Sequence, residues 1–178
     1  MRKNQGTDDA PNVRPGQIWL IEQTAATGPV ALDRGALGSA DVVLYDRALA
    51  ALVAPLLPAG RYAEPLSADG AVISPRALKL AADGWSVVQL IEPCRGWRKR
   101  LSNAAAELRP LSVSGSIAVQ LIAKTAAEGC RTREASLPEL PELVDELAED
   151  DMVTLIIGPL VGGIAAATCA CTGNGLAG

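Results

Sequence analysis

Three short apolar runs, spaced along the first hundred residues, constrain the chain most: Gln17-Ile18-Trp19-Leu20-Ile21, Asp41-Val42-Val43-Leu44-Tyr45 and Ser86-Val87-Val88-Gln89-Leu90-Ile91. Each is short and nearly continuous, the mark of a strand buried on both faces. The intervals between them have helical character. Residues 32–39 predict a short helix, weakened by Gly35 and Gly38. Residues 47–57 predict a second, which Pro55 must kink or shorten. Residues 61–66 read as a weaker strand. Ser74-Pro75 marks a helix start, with Ser as N-cap and Pro at the first helical position, and Gly84 ends that helix after Asp83. After the third run, residues 98–108 predict a helix stopped by Pro110, and Leu111-Ser112-Val113 a further strand turning at Gly115. This alternation predicts an α/β fold, a parallel sheet flanked by helices on both faces.

The pattern changes after Gly115. Residues 117–128 predict a helix stopped at Gly129, residues 137–149 a strongly acidic helix, and residues 152–157 a strand. Residues 1–15 are polar, contain Pro11 and Pro15, and predict a flexible tail. Residues 161–178 form a Gly/Ala-rich tail with no readable periodicity.

Composition narrows the function classes. With 49% hydrophobic and 20% charged residues, the 178-residue chain is expected to fold around a real core. A net charge of -4 supplies no electrostatic reason to bind nucleic acid or an anionic membrane. There is no histidine, which excludes Ser-His-Asp and Cys-His mechanisms within the chain. The four cysteines, Cys94, Cys130, Cys169 and Cys171, match no standard zinc spacing. The polar N-terminus and the lack of any apolar run of transmembrane length lead to the expectation of a cytoplasmic protein with reduced thiols.

One segment carries a resemblance. Ala40-Asp41-Val42-Val43-Leu44-Tyr45-Asp46-Arg47 resembles the second strand of the tetrapyrrole (corrin/porphyrin) methylases, most closely their uroporphyrinogen-III C-methyltransferase branch. Gln17 to Ile21 resembles the family's first strand, and Ser74 to Leu90 its third helix and fourth strand. Val113-Ser114-Gly115-Ser116-Ile117-Ala118 resembles the Val-Pro-Gly-Val-Thr-Ser segment that closes its first domain. Val153-Thr154-Leu155-Ile156-Ile157-Gly158 is more weakly similar to its Thr-Leu-Val-x-Tyr-Met-Gly strand. The resemblance implies a methylase-like domain over residues 16–118, a truncated second-domain remnant over 119–160, and association as a homodimer.

The departures bear on activity. The family's first loop is Gly-x-Gly-Pro-Gly-Asp-Pro; residues 22–29 here keep one Gly-Pro, ending at Pro29. Glycines there allow backbone to approach a ligand, and side chains fill that space. Where the family holds S-adenosylmethionine with Gly-Gly-Asp-Pro, this chain reads Glu92-Pro93-Cys94-Arg95-Gly96-Trp97. The resemblance therefore maps cofactor contacts onto Pro29, Glu92, Cys94, Ile117, Ala118 and Ile157, none carrying the family's residue except Pro29.

Substrate contacts map onto Asp46 and Arg47, at a strand's C-terminal end, where ligands of open α/β sheets bind. Asp46 is a candidate acceptor for pyrrole N–H groups; capping of the following helix is its alternative role. Arg95, Arg98, Lys99 and Arg100 cluster around Trp97 in an otherwise acidic chain. Arginine pairs bidentately with carboxylates, of which a uroporphyrinogen carries a ring, and Trp97 could stack on a macrocycle; a solvated helix start is the plainer reading. Ser114-Gly115-Ser116 reads as an anion-binding turn or a helix cap, and the acidic run to Asp151 as a solvated helix face. Two function classes stand open. One is a degenerate homologue, weakly active or inactive, that binds a tetrapyrrole or a protein partner. The other is an S-adenosylmethionine-dependent C-methyltransferase. Weak or no S-adenosylmethionine binding is expected.

Overall fold

A computed structural model describes residues 12–26, 28–29, 31–68, 71–94, 96–104, 107–108, 111, 117–125 and 129–159. The three apolar runs become neighbouring parallel strands: β1 (Ile18–Glu22), β2 (Val42–Tyr45) and β4 (Val87–Ile91), with β3 (Tyr62–Pro65) beside β2. Three longer strands follow: β5 (Ile117–Thr125), β6 (Gly129–Ser136) and β7 (Met152–Pro159). All seven form one sheet in the order β3-β2-β4-β1-β7-β5-β6. β7 joins β1 antiparallel, and β5 and β6 continue antiparallel. The expected α/β fold with a helix-flanked sheet is observed; its parallel character ends at β1.

Strand alternation divides the core into two layers. Ile18, Leu20, Val42, Leu44 and Val87 face one layer, covered by α3 (Pro75–Ala82), α4 (Trp97–Ser102) and α5 (Leu140–Asp145). Trp19, Ile21, Val43, Val88 and Leu90 face the other, covered by α1 (Ala31–Ser39) and α2 (Ala50–Val53). Helices thus cover both faces, as a sheet of continuous apolar strands requires. The Ser74 side chain caps α3 by accepting from the Arg76 amide at 3.2 Å, and Gly84, at φ +91°, ends the turn that follows. Pro55 breaks the expected helix over 47–57 into α2 between two 3-10 turns.

Several expectations are corrected. Residues 117–125 form a strand, not a helix. Ile117, Val119, Leu121 and Ala123 face the first layer, while Gln120, Ile122 and Lys124 face the other way, all buried. The helix expected over 137–149 shrinks to a 3-10 turn and the six-residue α5. Leu111 lies in a helical turn, while positions 112–116, with the Ser114-Gly115-Ser116 turn, fall outside the described residues. The boundary expected at 118/119 falls inside β5, whose pairing through β7 to β1 makes one continuous sheet. Cys130 is disulfide-bonded, contrary to the expectation of reduced thiols, and Cys94 is free. The expected tails, with Cys169 and Cys171, lie outside the described residues, apart from positions 12–15.

Buried polar groups tie the two halves of the sheet together. Lys124 Nζ on β5 donates to Asp33 Oδ2 on α1 at 2.8 Å and to Thr154 Oγ1 on β7 at 2.8 Å. Thr154 Oγ1 donates to Asp33 Oδ1 at 3.1 Å. At the opposite end of the sheet, Gly158 packs so closely on Gln17 that an added Cβ would lie 2.8 Å from Gln17 Cγ.

Candidate functional site

The chain leaves β2 toward α2 on one face and leaves β4 toward α4 on the other. Adjacent strands whose connections part in this way open a crevice at their carboxyl ends, the place where open α/β sheets bind ligands. A cavity of about 240 Å³ lies there, reached by Asp46 from β2, by Gln89 and Glu92 from β4, and by Cys94, Trp97 and Arg100 beyond.

Its walls are held by hydrogen bonds that use up most of its polar groups. Asp46 Oδ2 accepts from the Glu92 amide at 2.7 Å, binding the β2 end to the β4 loop. Asp46 makes no side-chain cap on the turn that follows it, so the capping alternative is not realised. Gln89 is buried; its Oε1 accepts from the Ser74 amide at 3.0 Å and its Nε2 donates to the Val72 carbonyl at 2.8 Å. This pair fixes the segment leading into α3. Arg100 Nη2 donates to Cys94 Sγ at 3.0 Å on the rim.

A second, more open cavity of about 530 Å³ adjoins the first through Cys94 and Trp97. It lies between the end of β1, the start of α4 and residues 149–152. Glu22, the last residue of β1, is 1% exposed. Its Oε2 accepts from the Val153 amide at 2.7 Å, and its Oε1 faces Arg98 Nε at 3.7 Å without a hydrogen bond. Burial pushes the Glu22 carboxyl above the usual carboxylate range, against the Val153 amide, Arg98, the Trp97 indole and Lys124, which favour the charged form. Asp151 Oδ2 accepts from Arg131 Nη2 at 3.0 Å and from the Ala148 amide at 2.9 Å, while the buried Oδ1 has no partner.

The candidate substrate residues are only partly brought together. Asp46 and Trp97 line the first cavity; Arg47 is exposed and lines neither. Trp97 is 6% exposed and packs with Leu101 in the core, so it offers no free stacking face. Arg98 is committed: its Nη1 donates to the Ala148 carbonyl and its Nη2 to the Asp151 carbonyl. Arg95 lies outside the described residues. Of the described basic residues, Arg98 borders the second cavity and Arg100 the first.

The candidate cofactor residues fall at two ends of the sheet. Glu92 and Cys94 sit at the carboxyl edge of β4 and line the cavity. Ile157 pairs with Ile18 at the start of β1, Ile117 with Pro159, and Ala118 with Gly158 and Ser136. These three lie in strands at the opposite edge, because β5 begins and β7 ends beside the start of β1. Pro29 is buried and lines neither cavity.

Sequence reasoning passed over Glu22, Gln89 and Asp151. Glu22 had a readable signal, a carboxylate directly after a continuous apolar run and hence at the carboxyl edge of a buried strand. Asp151 was absorbed into an acidic run; Glu149 and Asp150 beside it are exposed, as expected. Among the described residues, no group of three or more acidic or thiol side chains is placed to hold a metal ion. No helix among them is long and apolar enough to cross a membrane.

No known family profile matches the chain, and no curated protein sequence does. Solved structures do. One is that of a cobalamin biosynthetic enzyme, cobalt precorrin-4 methyltransferase, at 11% identity, a TM-score of 0.30, and coverage of 79% of this chain and 94% of that one.

Proposed function

We propose that this protein is a tetrapyrrole methylase-like α/β domain that binds a ligand at its switch-point crevice without efficient methyl transfer. The crevice between β2 and β4 carries this reading, since it is an open cavity where such sheets take ligands. The carboxylates of Asp46 and Glu92 offer acceptors suited to the N–H groups of a tetrapyrrole. The cavity of about 240 Å³ admits one edge of a macrocycle rather than the whole. A protein partner inserting a polar side chain would use the same acceptors.

The cofactor loops support the loss of methyl transfer. Glu92 and Pro93 stand where the family resemblance places paired glycines, and the hydrogen bond that the Glu92 backbone amide donates to Asp46 draws the loop against β2. Glu92 is exposed at the rim and could attract a sulfonium, which is the observation that favours the second reading, an S-adenosylmethionine-dependent uroporphyrinogen-III C-methyltransferase. Homodimer formation is proposed on the resemblance alone; light scattering of the 18.3 kDa chain tests it, and a clean monomer contradicts it.

Tryptophan emission during titration with uroporphyrin tests the ligand class, because Trp97 borders the cavity. Saturable quenching that weakens in Asp46→Asn is expected. Quenching that does not saturate would shift the reading to a protein partner.

A further inference from the structure

The disulfide at Cys130 plays no part in the crevice. Cys130 lies on the outer strand β6 and is disulfide-bonded, while Cys94 is free. The chain has two other cysteines, Cys169 and Cys171, so within one chain the partner of Cys130 is one of these. The sheet face that carries Cys130 also carries an unmet need. Gln120 on β5 lies opposite Glu134 of β6, and Lys124 lies opposite Cys130. Residues directly opposite share a face, and strand alternation puts Gln120 and Lys124 on one face, so Gln120 and Cys130 look the same way. Gln120 is fully buried, yet neither atom of its side-chain amide has a hydrogen-bond partner among the described residues. A buried amide without partners is costly, and native structures rarely leave one so. Helix α1 reaches this face at Lys124, through Asp33, but no described element serves Gln120.

We propose that the segment from residue 160 onward docks across this face, supplies backbone partners to Gln120, and is clamped to β6 by a disulfide from Cys130 to Cys169 or Cys171. The distance fits. Strand β7 ends at Pro159, beside Gly158, which is level with Ala118 and Ser136. At ~3.3 Å per residue and ~4.8 Å between strands, Cys130 lies about 20 Å along β6 from Ser136 and about 10 Å across from β7. An extended chain from Pro159 to Cys169 spans about 33 Å, which leaves slack for a path over the face. The composition fits as well. Residues 160–178 carry no charged side chain, and Leu160, Val161 and Ile164 to Ala167 are apolar. Such a stretch suits a face that presents Ile122 and Ile156 beside Gln120, with its peptide groups meeting the open amide. Forming the disulfide takes a proton from each thiol and passes the electron pair to a disulfide oxidant, which is reduced to its dithiol; a dithiol reductant reverses the step and frees the segment. The clamp is independent of what the β2/β4 crevice binds.

Tryptic digestion of the full chain, prepared without reductant and read by mass spectrometry, tests the bond. Cleavage after Lys124, Arg131 and Arg133 puts Cys130 in fragment 125–131 and both Cys169 and Cys171 in fragment 134–178. A disulfide-linked pair of these fragments is expected from monomeric protein. Fragment 125–131 carrying a free thiol, or joined to a second copy of itself or to the fragment with Cys94, would overturn the proposal. Limited digestion with elastase, which cuts after small apolar residues, tests the docking. Cleavage within residues 164–168 should run at least about tenfold faster after reduction with dithiothreitol and in Cys130→Ser, as the segment opens locally. In Gln120→Leu, with the disulfide intact, it should run about fivefold faster, the worth of one lost hydrogen bond. Circular dichroism checks that each variant folds, and the reduced wild-type chain carries the test if one does not. Cleavage at an unchanged rate after reduction, or in a folded variant, would overturn the proposal.

Discussion

The two halves of the sheet are built from different kinds of sequence. In the parallel half, β1, β2 and β4 are apolar on both faces, bounded by turn residues, and each is followed by a segment with helical character. In the antiparallel half, β5 mixes Ala, Leu, Gln and Lys, residues that favour helices, and β6 is polar with Arg131, Thr132, Arg133 and Glu134 all exposed. The lesson is that burial on both faces writes itself into sequence only when both faces are apolar. On β5 the second face buries Gln120 and Lys124, so tertiary contacts, not local pattern, decide that it is a strand.

The polar tie between the halves is the place where that comparison breaks most readily. Lys124→Met leaves Asp33 as a buried charge without its cation, and should cost about 3–5 kcal/mol in urea unfolding. Lys124→Met combined with Asp33→Leu should recover most of the loss, since breaking such a pair is worse than replacing it. A loss well under ~1 kcal/mol for the single variant would mean that the halves do not depend on this tie.

Close packing at the other end of the sheet gives a middle-sized effect. Gly158→Ala places a methyl against Gln17, whose Oε1 accepts from Trp19 Nε1 at 3.2 Å and from the Arg14 amide at 3.0 Å. Moving Gln17 disturbs both bonds, and a destabilisation of about 1–3 kcal/mol is expected by thermal unfolding. Asp41 should matter less. Its Oδ2 accepts from the Ser86 amide at 3.0 Å and the Ser86 hydroxyl at 2.7 Å, and these bonds hold its carboxyl below the usual range. Asp41→Asn should cost about 1 kcal/mol at neutral pH. That difference should fade as pH falls through the depressed carboxyl range, because a lowered native pKa contributes stability only above it.

Glu22 runs in the opposite direction. Its carboxyl is raised in the folded state, so the native protein binds the proton more tightly than the unfolded chain. Its contribution is fully present below the ordinary glutamate value of 4.5 and is lost as pH rises through the raised native value. Glu22→Gln, measured against wild type by denaturant unfolding at a series of pH values, should become relatively more stable as pH climbs from that value. A constant difference across the series would contradict the burial assigned to this group.

Legibility of the site followed that of the fold. Asp46, Glu92, Cys94 and Trp97 could be found because they end or follow strands that sequence places confidently at one edge. Ile117, Ala118 and Ile157 could not be placed, because they belong to the half whose strands carry mixed faces. The commitment of Arg98 was also invisible: nothing in its neighbours along the chain announces that two carbonyls some fifty positions away claim its guanidinium.

The proposed reading, a crevice that binds a ligand but not S-adenosylmethionine, has one most direct test. Isothermal titration of the full chain with S-adenosylhomocysteine tests it most directly, since a working methylase binds that product. On the proposed reading, weak binding or no saturable heat is predicted, because Glu92 and Pro93 put side chains where close backbone approach to a ligand needs glycine. Saturable binding in the low-micromolar range would contradict it and favour an active methyltransferase.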